Sequence, residues 1–78
     1  MTTLETVASL ISKQLNKPIE EIKPEKEIVK DLGADSLDMV TMLIDLETQF
    51  AITVSDEEAA VLKTVGDVVN IIDKKKGN

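Results

Sequence analysis

Apolar residues at Leu4, Val7, Ala8, Ile11 and Leu15 recur at the spacing of one helical face. Thr2 and Glu5 stand where a capping box needs them: a threonine that accepts from the N–H three residues on, and a glutamate that reaches back. Asn16-Lys17-Pro18 predicts the stop, because asparagine tolerates a left-handed cap and proline cannot continue a helix. A second helix is predicted from about Ser36 to Phe50. Ser55-Asp56-Glu57-Glu58 is another capping box and starts a short helix to about Leu62. Thr64-Val65-Gly66-Asp67 reads as the cap of a last helix. There Val65, Val68, Val69 and Ile72 form one stripe, and Lys74, Lys75 and Lys76 suit the negative C-terminal end.

From Lys17 to Ala34 no period is sustained. Pro18 and Pro24 interrupt it, and Ile19, Ile22, Ile28 and Val29 occur singly. Long structureless loops are uncommon in small domains, so an ordered loop is expected, pinned by those four side chains, with one short turn near Ile19–Ile22. The strand-like run Ala51 to Val54 is too short and has no partner. The pattern therefore predicts an all-α fold: a small four-helix bundle of three longer helices and one short helix, with a long loop between helices 1 and 2. Residues 1–78 are read as a single domain, small enough that its stability should be marginal.

The second helix carries more apolar surface than one core face needs. At about 100° per residue, Met39, Met42, Leu43, Leu46 and Phe50 fall together as a core stripe. Leu37, Val40 and Ile44 form an adjacent stripe, and Asp38, Asp45 and Gln49 hold the opposite side. Glu47 lands within the adjacent stripe. A carboxylate is rarely buried without a partner, so that stripe is expected to be exposed, an apolar strip with a charged rim. The alternative is a helix buried on both stripes, with Glu47 reaching out at an edge.

Charge sharpens the picture. Fifteen acidic residues against nine basic ones give a net charge of −6. Asp31, Asp35, Asp38, Asp45, Glu47, Asp56, Glu57 and Glu58 fall in a window that contains no Lys or Arg. Such a surface disfavours nucleic acid, whose phosphates need basic contacts, and steers basic proteins over long range. A solvated face that only aids solubility is the plainer reading of charge alone. One Phe and no Trp or Tyr leave no aromatic stacking platform. The absence of cysteine excludes disulfides and thiolate metal sites. No apolar run is long enough to cross a bilayer, and no secretion signal is visible, so a cytoplasmic monomer is expected.

The block Asp31-Leu32-Gly33-Ala34-Asp35-Ser36-Leu37-Asp38 places one serine between two acids, directly ahead of the second helix. Ser36 can serve as the N-cap. Asp35 can take that role instead, which puts Ser36 at the first helical position and Asp38 at the third, where acids are favoured. Capping rules alone leave the choice open. With Asp35 as cap, the Ser36 hydroxyl is free to point outward, and Gly33 and Ala34 keep its approach open.

A serine nucleophile needs a base within reach and a group that orients it. The chain has no His, and no lysine is near in sequence. Asp35 and Asp38 have no apolar pocket to turn them into bases, so an enzyme is not expected. Asp31-x-Gly33-x-Asp35 opens like a calcium loop, but Ser36 stands where glycine is required and Met42 where the bidentate Glu belongs. No dedicated metal site is expected, only weak divalent binding at Asp35 and Asp38. Modification of Ser36 by another protein fits better. A phosphate ester there would lie at a helix N-terminus, where N–H groups and the dipole favour an anion.

This block resembles the attachment motif of bacterial-type acyl carrier proteins of fatty acid synthesis. The likeness extends to the length, the acidity, the long first loop and Ser55-Asp56-Glu57-Glu58. It implies a carrier rather than an enzyme. A phosphopantetheinyl transferase (holo-acyl carrier protein synthase) would move 4′-phosphopantetheine from coenzyme A to Ser36, and the arm's thiol would carry acyl chains as thioesters. The phosphodiester would add one negative charge.

The resemblance further implies that fatty acid synthesis enzymes with basic docking surfaces meet Asp35, Leu37, Asp38, Val40, Ile44, Glu47, Val54 and Asp56. It implies that the acyl chain folds back between helices; Ala59 and Ala60, by their small size in the short helix, are expected to leave room for it. Thr41 and Thr48 stand where the best-known members have acids, so docking is expected to lean on apolar contact and to weaken less steeply with salt. A carrier of polyketide or nonribosomal peptide synthesis is the nearest alternative. An acidic helical adaptor whose Ser36 is only a cap is a third reading.

Overall fold

Among the described residues, each α-helix begins with the same reciprocal device. The computed structural model describes residues 2–76, with α1 at Thr3–Leu15, α2 at Ser36–Phe50, α3 at Asp56–Ala60 and α4 at Val65–Lys75. The pairs Thr2/Glu5, Asp35/Asp38, Ser55/Glu58 and Thr64/Asp67 each form a complete capping box. In each, the cap side chain accepts from the N–H three residues on, and that residue's carboxylate accepts from the cap's own N–H. A cap of this kind contributes about 1 kcal/mol. Helices this short are marginal alone, so the caps and the tertiary packing must act together.

The C-terminal ends differ. α1 closes on Asn16 in the left-handed region, φ 56°, as Asn-Lys-Pro predicts. α2 closes on Ala51 at φ 54°, a conformation that its Cβ disfavours. α3 stops at Ala60, two residues before the expected Leu62. Beyond it the chain tightens: Val61 N–H donates to Glu58 O at 3.3 Å and Leu62 N–H to Ala59 O at 3.2 Å, three-residue closures that end a helix.

The core is built by α1, α2, α4 and the long loop. Val7, Ala8 and Ile11 of α1 meet Met42 and Leu46 of α2 and Val65, Val68 and Ile72 of α4, all buried. α1 packs against both α4 and α2. The Thr3 hydroxyl donates to Asp73 Oδ1 at 2.7 Å and ties the start of α1 to the end of α4. α3 supplies no buried residue. The architecture is the expected all-α four-helix bundle, three longer helices and one short one.

The loop, residues 17–35, is ordered and holds the expected short turn as a 3-10 helix at Ile19–Glu21. Its anchors differ in part from expectation. Ile22 and Ile28 are buried, but Ile19 and Val29 are 48% and 56% exposed; Leu32 and Ala34 complete the anchorage. The reason is local. Asp31 and Leu32 N–H groups donate to Glu27 O, and Gly33 N–H to Val29 O, forming one turn of helical spacing. That turn points Ile28 and Leu32 inward and Val29 outward. The loop is stitched to the α3–α4 junction by Ile28 N–H to Lys63 O, Val65 N–H to Lys26 O and Gly66 N–H to Pro24 O, at 2.9–3.0 Å.

Candidate functional site

Asp35, not Ser36, is the cap of α2. Its backbone is extended, its carboxylate accepts from Asp38 N–H at 2.9 Å, and Asp38 Oδ2 accepts from Asp35 N–H at 3.0 Å. Ser36 is therefore the first helical residue. It is exposed, and among the described residues none engages its hydroxyl in a hydrogen bond. The chain holds no His and no Cys that could activate it.

The approach is shaped by Gly33 and Ala34, in different ways. Gly33 has φ +78°, and nothing lies within 4 Å of where a Cβ would be, so the backbone sign rather than crowding calls for glycine there. Ala34 is buried, at 4% exposure. Ala34 N–H donates to Ile28 O, and its side chain belongs to the core.

The second stripe of α2 is exposed. Leu37, Val40 and Ile44 are 76%, 54% and 56% exposed, one apolar strip running down the helix from Ser36. Thr41 and Thr48 are exposed as well, and the Thr48 hydroxyl donates to its own helix at Ile44 O. Glu47 is half-buried, and its Oε2 accepts from Val54 N–H at 2.8 Å. Val54 is half-buried in the α2–α3 connection, and Asp56 is exposed in the first turn of α3. Among the described residues no group of three or more His, Cys, Asp or Glu side chains converges as a metal would require.

Behind the site, Ile11, Gln14, Leu15, Ile28, Ala34, Asp38 and Met42 surround a space too tight for a water molecule. Gln14 matters most here. Its amide Nε2–H donates to the Asp38 main-chain O at 2.5 Å, across 24 residues of sequence. Sequence reading missed Gln14, because nothing local marks it. Ala59 is half-buried and Ala60 exposed in α3.

The carboxylates of three caps carry the clearest electrostatic signatures. Glu58 is pulled down to about 2 by the Ser55 N–H and then by Lys75, whose Nζ is 2.9 Å away. Asp67 is lowered by the N–H groups of Thr64 and Lys63, and Glu5 by the N–H of Thr2. Each shift comes from donors that favour the charged form.

The family model of the phosphopantetheine attachment site matches residues 5–72. The chain belongs to the acyl carrier protein family. It is 45% identical over 76 residues to an acyl carrier protein of Helicobacter hepaticus, covering 97% of this chain and 100% of that one. Its fold is similar to that of the acyl carrier protein of Enterococcus faecalis, with a TM-score of 0.82 and 32% identity over 96% of this chain and 99% of that one. A candidate acyl carrier protein of Mycobacterium tuberculosis gives a TM-score of 0.84 at 33% identity, over 88% of this chain and 92% of that one.

The family's group is 4′-phosphopantetheine, and this acyl carrier fold has a hydroxyl that fits it. Ser36 is exposed and uncommitted, and among the described residues the Ser36 and Leu37 N–H groups that open α2 have no partner, which suits a phosphate ester. Among the described residues no helix is long and apolar enough to cross a membrane.

Proposed function

We propose that residues 1–78 form one acyl carrier domain of fatty acid synthesis, that Ser36 holds the 4′-phosphopantetheine, and that the chain is not itself an enzyme. One observation carries the reading: Asp35 does the capping, so the exposed Ser36 hydroxyl is left for modification. When bound, the group supplies a thiol that holds acyl chains as thioesters. The chain's own residues present, orient and recruit. A phosphopantetheinyl transferase meets the acids around Ser36, Asp35 and Asp38. Cytoplasmic enzymes of fatty acid synthesis, with basic rims, meet the strip Leu37, Val40 and Ile44 together with Glu47, Val54 and Asp56. An apolar centre inside a charged rim supports that reading.

The test is one mass measurement. With coenzyme A and a phosphopantetheinyl transferase, the chain is expected to gain the mass of one phosphopantetheine, and Ser36→Ala to gain none. No gain in the native chain, or a gain that survives Ser36→Ala, overturns the assignment. Acyl species found on the protein isolated from its own cells decide between fatty acid and polyketide or peptide synthesis.

A further inference from the structure

Three bonds converge on Asp38, and one of them comes from another helix. Its N–H and its carboxylate form the capping box with Asp35. Its main-chain O accepts from Gln14 Nε2 of α1. Among the described residues this is the one side-chain hydrogen bond between α1 and α2. The rest of that contact is apolar packing by residues such as Ile11 and Met42. Apolar burial is non-directional and does not by itself fix how a helix end is turned. Helix ends also fray, and the capping box of α2 is exposed to water, which competes for its bonds.

We propose that Gln14 is a positioning residue for the attachment at Ser36. By holding the Asp38 carbonyl it keeps the first turn of α2 from fraying, and so keeps Ser36 Oγ in fixed register with Val40 and Ile44 farther along the helix. The inference rests on Ser36 being the attachment residue. In that step Ser36 Oγ attacks the β-phosphorus of coenzyme A. The Oγ–P bond forms and the pyrophosphate P–O bond breaks. Adenosine 3′,5′-bisphosphate leaves, and the hydroxyl proton passes to a base on the transferase. An in-line displacement punishes small misplacement of the attacking oxygen. A partner gripping Val40 and Ile44 therefore needs the serine held relative to those residues.

The experiment uses the full chain, a phosphopantetheinyl transferase and coenzyme A. Gln14→Leu removes the donor at similar volume. The expected result is a kcat about tenfold lower, with KM for the carrier changed less than about twofold, because the docking strip is untouched. Amide exchange in the unmodified protein gives an independent reading: protection at Asp38 and Met39 is expected to drop about tenfold more than at Leu46. A loss of stability alone would lower all three together.

If Gln14→Leu folds poorly, Gln14→Glu keeps the length without a donor at neutral pH and is expected to give the same pattern. In the native chain, the Gln14 side-chain amide protons should exchange more slowly than those of exposed Gln49. Equal side-chain exchange, an unchanged kcat, a loss confined to KM, or protection at Asp38 and Met39 that tracks Leu46 each overturns the proposal. A native chain that gains no mass, or gains it without Ser36, overturns the Ser36 reading instead, and is separable from a variant that reacts as fast as the native chain.

Discussion

Glu47 and Val54 hold each other across the turn between α2 and α3: the Glu47 carboxylate accepts from Val54 N–H at 2.8 Å. The Glu47 main-chain O also accepts from Ala51 and Ile52 N–H groups. One residue thus closes the end of α2 and fastens the chain that follows. Glu47→Ala leaves the Val54 N–H without that acceptor, a cost of about 1 kcal/mol. In a domain of this size that lowers the melting temperature by roughly 4–8 °C. Glu47→Gln keeps an acceptor oxygen and should lose less. Thermal melts and amide exchange at Val54 check both. Unchanged exchange at Val54 in the alanine variant would mean that the bond does not hold the turn.

Gly33 and Ala51 make an opposed pair. Both lie in the left-handed region, at φ 78° and 54°. Gly33→Ala meets no neighbour, so its expected destabilisation of about 1 kcal/mol is purely a matter of backbone conformation. Ala51→Gly relieves the same strain and is expected to stabilise by up to about 1 kcal/mol, after the greater freedom of glycine in the unfolded chain is subtracted. Denaturation midpoints that move in the same direction for both variants would refute this account.

Acid should loosen α3 through Glu58. Its carboxyl is held at about 2 in the fold against an ordinary 4.5, by the Ser55 N–H and then Lys75. A depressed carboxylate stabilises the folded state above its unfolded value, and the contribution disappears as pH falls through the folded value. The attachment of α3 to α4 is therefore complete above pH 4.5 and is lost as the pH falls toward 2. Lys75→Met removes the second cause, so the Glu58 titration followed by NMR should move from about 2 toward 4.5. A midpoint unaffected by that substitution would dismiss the Lys75 pairing.

The docking strip separates from the core by substitution. Val40, 54% exposed, is expected to tolerate Asp with a stability change within about 0.5 kcal/mol. Val68, fully buried in α4, should unfold the chain under the same change. Val40→Asp should weaken binding to a cognate synthase while far-ultraviolet circular dichroism stays native. Because Thr41 and Thr48 are uncharged, that binding should fall only gently with ionic strength. Unfolding of Val40→Asp, or binding that vanishes at moderate salt, would contradict the strip.

What was legible in the sequence is what is local along the chain. The capping boxes Thr2/Glu5 and Ser55/Glu58 and the Thr64 cap join residues three apart, and the stripes of α1, α2 and α4 follow from helical period, so these could be read directly. Ser36 was legible as a special serine for the same reason, though not whether it or Asp35 did the capping. That choice belonged to the structure, where the extended backbone of Asp35 turns its carboxylate onto Asp38 N–H. So did the burial of Ala34 and the outward turn of Val29, whereas the exposure of Leu37, Val40 and Ile44 was expected from the carboxylate of Glu47 standing within their stripe. Gln14 reaching Asp38 across 24 residues, Thr3 reaching Asp73 across 70 and Lys75 reaching Glu58 were not legible at all. A local pattern is set by the geometry of one helix or turn. Those long-range partners exist only once apolar burial has chosen how the helices lie against one another.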